Sequence, residues 1–524
     1  MPRLTALLFA LVVISYSTGS FADEPARPWL TAHERPPMTA EETRAFIQRL
    51  TRYVADNHLK TSAASPQKGM IYEYFDVRRK GEFDQFVQGE ALDTMHDGAW
   101  FAAAMVNAYR ATGDASYKEM LAKWQLPFYL KMLNHSDELF STKRNDARAG
   151  AEPWNREHGL QDGEKGFVPY YWDDGGSVSL ERRRDKNPRA IRPSVDDLVN
   201  QDNPRFLLSG YSQGSSNHLA QDLAVMLELT WLLFRQSNDA ADQQLAAEIA
   251  EAAQNLQACR MRHHGNIPMC VVPAALVTKD KELLKGANDP LNPRFWKADN
   301  HFTRAFIDFK PDQRASSPGF ADDQQYLYYQ GLARGQGAIG KPLAFKLIYD
   351  AVTEREFWKR YHDDAPAIPG LNRFDLYPLF AKEGKLEALR SARTGPFRRP
   401  IPAGSRMGPQ MMIVCGWSLQ LLKTYPGIWQ EGREKNESRA GLFPLASEEE
   451  VRKDLERELA GGLRTWQAVF DHYGYIPTSL ERGEPWDHFS DAGGYAHLIS
   501  AATQWLYLLE NKRDWEQHGL PAGE

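Results

Sequence analysis

One arrangement recurs along the chain and limits its fold more than any other feature. A loop rich in Gly or Asp is followed by a helix apolar on nearly every side, then by a polar turn and a second helix apolar on one face only. The first case runs from Asp97 and Gly98 through Ala99, Ala102, Ala103 and Val106, turns at Gly113 and Asp114, and continues with Tyr117, Met120, Leu121 and Trp124 at helical spacing. The second opens at Asn217, passes through Leu219, Leu223, Met226, Leu227 and Trp231, turns near Asn238, and returns with Leu245, Ile249, Ala252 and Leu256. On that return helix Glu248, Glu251 and Gln254 form the wet face. Similar openings occur at Asp322 and Asp323, at Gly408 before Met411 to Leu422, and at Gly493 and Gly494 before Leu498 to Leu509. Thr39 with Glu42, and Ser447 with Glu450, have the spacing of capping boxes that open further helices.

A helix buried on all sides needs an outer layer to cover it. Concentric inner and outer helices meet that need, as do stacked solenoids, and the uneven spacing of the apolar starts fits a decorated ring better than a short fixed repeat. The expected fold is therefore all-α: an (α/α) toroid, an incomplete barrel of helix pairs, with a small β-hairpin and long loop insertions. Residues 1–22 read as a signal peptide, with Arg3 as the early cation, an apolar run from Leu4 to Ile14, and Ser20 and Ala22 before a cut. The run is shorter than the ~20 residues a membrane span needs. Residues 23–38 read as an extended segment and 39–524 as one toroid domain, with a loop insertion around 134–216. Within that insertion the run Phe167 to Trp172, the turn Asp173 to Gly176 and the run Ser177 to Leu180 suggest the hairpin.

The mature protein is expected to be secreted or periplasmic, without a membrane span. Its 63 basic and 69 acidic residues, a net charge of -6, give no bulk electrostatic case for nucleic acid. Any acidic ligand must be met by a local cluster. The cysteines, Cys259, Cys270 and Cys415, are too few for a disulfide-built fold. Cys259 and Cys270 are near enough in sequence to bridge in an oxidising compartment, and they flank His263 and His264, but that spacing matches no familiar zinc pattern. Glycosylation sequons stand at Asn134 and Asn436.

With Ser216, Asn217 and His218 opening an apolar helix in a largely helical chain, the sequence resembles the toroidal polysaccharide lyases, which include alginate, chondroitin and glucuronan lyases. The general layout of helix pairs from about Gly89 to Asn511 shares the resemblance; the sharp part is those three residues. It implies an Asn, a His, a Tyr and an Arg around a uronic acid, and an acidic polysaccharide or oligosaccharide as partner. In β-elimination the proton on C5 of a uronate is weakly acidic, so the neighbouring carboxylate must be neutralised as charge builds. Asn217, helped by Arg262, suits that task; His218 suits the base and a tyrosine the acid that protonates the leaving oxygen. In related enzymes the Asn and the catalytic His are sometimes well separated, which makes His264 the alternative base. No tyrosine follows at the position the resemblance implies, so the candidates are Tyr211, Tyr326, Tyr328 and Tyr329, with Tyr326 and Tyr329 preferred. No cofactor is required and no metal ligand is predicted, although a structural divalent cation is compatible with such a site.

Loop-borne aromatic residues with arginines nearby favour a ligand both carbohydrate and acidic: Tyr171, Trp172, Tyr211 and Trp296, with Arg205 and His263. Carboxylates supply a rival chemistry. His96 with Asp97, Asp173 with Asp174, Asp222, and Asp322 with Asp323 would furnish the acid and base of a glycoside hydrolase. A third reading is a noncatalytic carbohydrate-binding envelope protein. For single Asn, His or Asp residues at helix starts, capping and dipole stabilisation are the plainer explanations.

Overall fold

The computed structural model describes residues 27–59, 61, 68–71, 74–77, 94–135, 165–166, 171–173, 205–207, 213–263, 272–288, 340–341, 344–345, 347–349, 351–352, 368–371, 404–435, 443–477, 480–481, 484–485 and 489–519. The described chain is mostly helical, with only short strands. Helix α1 (Ala40–Asn57) opens on the expected capping box: Thr39 Oγ1 accepts from Glu42 N, and Glu42 accepts in turn from Thr39 N. Its buried face carries Phe46, Ile47, Leu50 and Val54 at helical spacing. The same device opens α11 (Glu448–Glu456), where Ser447 and Glu450 cap each other.

Between these lie α2 (Thr94–Thr112), α3 (Ala115–Met120), α4 (Leu126–Asn134), α5 (Gln213–Phe234), α6 (Ala240–His263), α7 (Val272–Thr278), α8 (Lys281–Asn288), α9 (Gly404–Thr424) and α10 (Ile428–Glu434). After α11 come α12 (Gly462–Tyr473), α13 (Ala492–Leu509) and α14 (Asp514–His518). Single π-helical turns join α3 to α4 at Leu121–Gln125 and α11 to α12 at Arg457–Gly461.

Four helices, α2, α5, α9 and α13, are buried on nearly every side, as their apolar runs required. Every residue of α5 from Ala220 to Phe234 and of α9 from Gly408 to Leu422 is buried. These four run parallel. Contacts between α9 and α13 advance together along both, from Gln410 with His497 to Gln420 with Gln504. Those between α2 and α13 advance from Trp100 with His497 to Asn107 with Ser500. At the far end of α2, Arg110 donates to Leu232 O and Gln236 Oε1, so α2 and α5 finish side by side.

The second helix of each pair runs back along the first. Gly113, with φ of 75°, and the Asp114 cap turn the chain from α2 into α3, and α4 brings Tyr129 over Gly98. Gly416 approaches Leu459 while Gly462 approaches Met412, which makes α9 antiparallel to the helix α11–α12. On α6, Ile249, Ala252 and Leu256 are buried and Glu251 and Gln254 exposed, as the sequence pattern requires, while Leu245 and Glu248 are both half-buried. The two ends of the chain also meet. Helix α1 runs antiparallel to α13, tied by Arg44 to Glu510 at one end and by His58 Nε2 to Ser490 Oγ at 2.9 Å near the other. Strand β1 (Tyr74–Asp76) pairs antiparallel with β6 (Phe489–Asp491), directly before α13. Arg464 binds Glu42 and the carbonyls of Pro36 and Pro37, fixing the segment that leads into α1. That segment is not simply extended: it contains a 3-10 turn at Ala32–Glu34 and buries Trp29, Ala32 and Met38.

Strand β2 (Tyr171–Asp173) pairs antiparallel with β3 (Arg205–Leu207), and residues 174–180 of the expected hairpin lie outside the described residues. The register sets Trp172 opposite Phe206 and Asp173 opposite Arg205. A tight antiparallel pair does occur at β4 (Leu480–Glu481) and β5 (Glu484–Pro485). One expectation needs adjustment, at Asn134. Asn134 is no glycan acceptor in this fold, being buried and bonded to Glu248 O at 3.1 Å and Asn255 Nδ2 at 2.9 Å. Asn436 and Cys270 lie outside the described residues, while Cys259 and Cys415 are buried in α6 and α9. Among the described residues no helix is long and apolar enough to cross a membrane. The signal-peptide residues 1–22 lie outside them.

Candidate functional site

Because the four buried helices are parallel neighbours, their N-terminal ends gather at one end of the bundle. Each start carries unsatisfied backbone N–H groups and roughly half a positive charge from its peptide dipoles. Buried polar side chains occupy the first three turns of all four. Helix α2 brings Asp97, fully buried, and the half-buried Trp100. Helix α5 brings Gln221 and Asp222, α9 brings Gln410, and α13 brings His497. Interiors admit such groups only where they are answered by hydrogen bonds, charge or ligand.

Three of them form a connected unit across three helices. Gln410 Nε2 lies 3.1 Å from His497 Nε2, and the His497 ring centroid lies 4.2 Å from that of Trp100, tilted by 54°. Trp100, Gln410 and His497 sit at matching depth, the first two six residues after Thr94 and Gly404 and the third five after Ala492. Beside them, Gln125 Nε2 donates to Gly98 O at 3.2 Å. Burial pushes the Tyr129 hydroxyl well above the usual phenol range, and the charge of Asp97 pushes it further. Asp97 stands in the first turn of α2, where the dipole favours it, but inside the helix rather than at the N-cap. A purely capping role for Asp97 is therefore set aside.

The backbone places several of the expected residues near this end. Asn217 and His218 fall in the first turns of α5. The 24-residue α6 runs back along the 22-residue α5 after a short turn, so its last turn, with Arg262 and His263, returns toward the end bearing Asn217 and His218. Strand β2, with Tyr171 and Trp172, lies against α2, and Arg205 is on its partner strand. His264, Tyr211, Tyr326, Tyr328, Tyr329, Trp296 and Asp322 with Asp323 lie outside the described residues, as do Asp174 and the side chains of Asn217, His218, Arg262, His263, Tyr171, Trp172 and Arg205. Among the described residues no group of His, Cys, Asp and Glu is placed to hold a metal ion.

Sequence reasoning passed over Trp100, Gln410 and His497. The signal was present: each is a large polar-edged residue at the same depth into a helix otherwise apolar around its circumference. Comparison with family models, characterised proteins and solved structures gave no match for this chain.

Proposed function

We propose that the chain is an exported lyase that cleaves a uronic-acid-containing polysaccharide by β-elimination, at the mouth of an (α/α) toroid. The observation that carries this reading is the gathering of four parallel helix N-termini around buried polar groups, with the backbone of Asn217 and His218 at the same end. Parallel central helices, antiparallel outer partners and α13 packed on α1 and α2 support a ring. Helix N-termini favour an anion, and a uronate carboxylate is the anion this chemistry must neutralise.

In the proposed reaction Asn217 and Arg262 hold the carboxylate while charge develops on it. His218, or His264, takes the C5 proton, and the electron pair forms the C4–C5 double bond. The bond from C4 to the glycosidic oxygen breaks, and that oxygen takes a proton from Tyr326 or Tyr329. Tyr171, Trp172, Tyr211, Trp296, Arg205 and His263 serve as substrate contacts. The predicted signal peptide delivers the protein to the cell exterior or periplasm.

A second reading has its own observation. Asp97, in the first turn of α2, and Asp222, in the third turn of α5, are buried carboxylates on neighbouring helices, the residue types a glycoside hydrolase uses as acid and base. One experiment separates the readings. The purified protein is incubated with alginate, glucuronan, chondroitin and heparin-type polymers while ultraviolet absorbance and reducing ends are followed together. Elimination raises both, hydrolysis raises reducing ends alone, and a carbohydrate-binding protein without catalysis raises neither while retaining the polymer.

A further inference from the structure

Gln410 is only 4% exposed, and its amide makes one hydrogen bond, to His497, while Oε1 meets no partner among the described residues. An amide nitrogen only donates, so the imidazole accepts at Nε2 and carries its proton on Nδ1. Turning the amide over exchanges the roles: the ring donates to Oε1 and the amine is left unanswered. Either way one polar atom, withdrawn from water, lacks a partner, and folded proteins keep few such atoms without a use for them. Trp100 lies on the other side of His497, 4.2 Å between ring centroids. This indole is half-buried, and so are Ala103 and Asn107 along the same face of α2.

We infer that Gln410, with His497 and Trp100, forms a subsite for a hydroxyl group of a glycan ring whose apolar face lies on the open part of the indole. A hydroxyl both donates and accepts, so it answers whichever amide atom is open; a carboxylate answers only the amine, and an ammonium only the oxygen. His497 fixes the amide from behind and so acts as a positioning residue. The inference rests on the carbohydrate reading above and adds that this subsite reads a hydroxyl, not the acid group. Its contribution is therefore equal for acidic and neutral sugars.

The test is calorimetric titration of the full chain with tetrasaccharides of glucuronate, mannuronate and glucose, for wild type and Gln410→Leu. Leucine keeps the volume and removes both polar atoms. Loss of one hydrogen bond weakens binding about tenfold, and the factor is the same for every tetrasaccharide that wild type binds. A merely structural role for Gln410 lowers the melting temperature and leaves the dissociation constants alone. Should Gln410→Leu fail to fold, Trp100→Ala, at a half-buried position, reads the same subsite through a loss of tenfold or more. Unchanged affinity in a variant that folds overturns the subsite, while double-bond formation measured on the same samples leaves the lyase reading standing. Wild type that neither binds nor cleaves any of the sugars overturns both.

Discussion

Gly98 is the position where the packing of the first helix pair is most open to test. A Cβ built on Gly98 falls far inside the contact distance of Tyr129 Oη, closer than real Cβ atoms come to any neighbour. Tyr129 is fully buried and has Phe128 edge-on at 5.2 Å. Gly98→Ala gains about 1 kcal/mol of helix propensity, but forcing a methyl into a filled interior costs about 1–3 kcal/mol or more. With a rigid phenol in the way the upper end applies, and the net loss is about 2 kcal/mol. Tyr129→Phe alone costs about 1 kcal/mol for the buried hydroxyl. In the double variant the obstructing oxygen is gone and the nearest ring carbon stands 3.2 Å from the new Cβ, a contact relieved by a few tenths of an ångström. The pair should therefore couple by about 2 kcal/mol in a double-mutant cycle measured by urea denaturation. If Gly98→Ala proves as stable as wild type, Tyr129 does not lie over α2, and the antiparallel packing of α2 with α4 is wrong.

The remaining predictions are simpler. Thr39→Ala and Ser447→Ala should each cost about 1 kcal/mol, seen as lower denaturation midpoints, because each removes an N-cap. Glu42 is held below the usual carboxylate range by the Thr39 backbone N–H and then by Arg464, and Glu450 by the backbone N–H groups of Ser447 and Ala446. Their contribution is present above the unfolded carboxylate pKa and is lost as pH falls through the lowered folded value. The deficits of Glu42→Gln and Glu450→Gln relative to wild type should therefore shrink on acidification and be largest near neutrality. Gln504→Leu removes a bridge that accepts from Gln420 at 2.6 Å and donates to Asp514 at 3.1 Å in a buried network. It should destabilise by about 1–3 kcal/mol, and an unchanged midpoint would count against that network. His218→Ala should abolish double-bond formation with the circular dichroism spectrum intact; retained activity moves the base to His264 or a tyrosine.

Local physics was readable in the sequence, and distant pairing was not. Thr39 with Glu42 and Ser447 with Glu450 declared their helix starts because a capping box is complete within four residues. The wet face of α6 and the buried circumference of α5 followed from periodicity alone. The helix starts were less well marked: α2 opens at Thr94 and α5 at Gln213, so Asp97 falls inside a first turn and Asn217 four residues into its helix instead of at its opening. The pairing of Tyr74–Asp76 with Phe489–Asp491 depends on contacts between opposite ends of the chain, and no local signal announces it. His497 and Gln410 were missed for the same reason. Each looks like an isolated polar residue on an apolar helix until parallel packing brings them to 3.1 Å.

The seam between the chain's two ends has a kinetic consequence. Helix α13, some 400 residues after α2 in the numbering, supplies buried surface to both α1 and α2. Until its last segment has emerged, the earliest helices therefore expose apolar sides that nothing else covers. Such remote partners make folding slow, and an incomplete core invites aggregation.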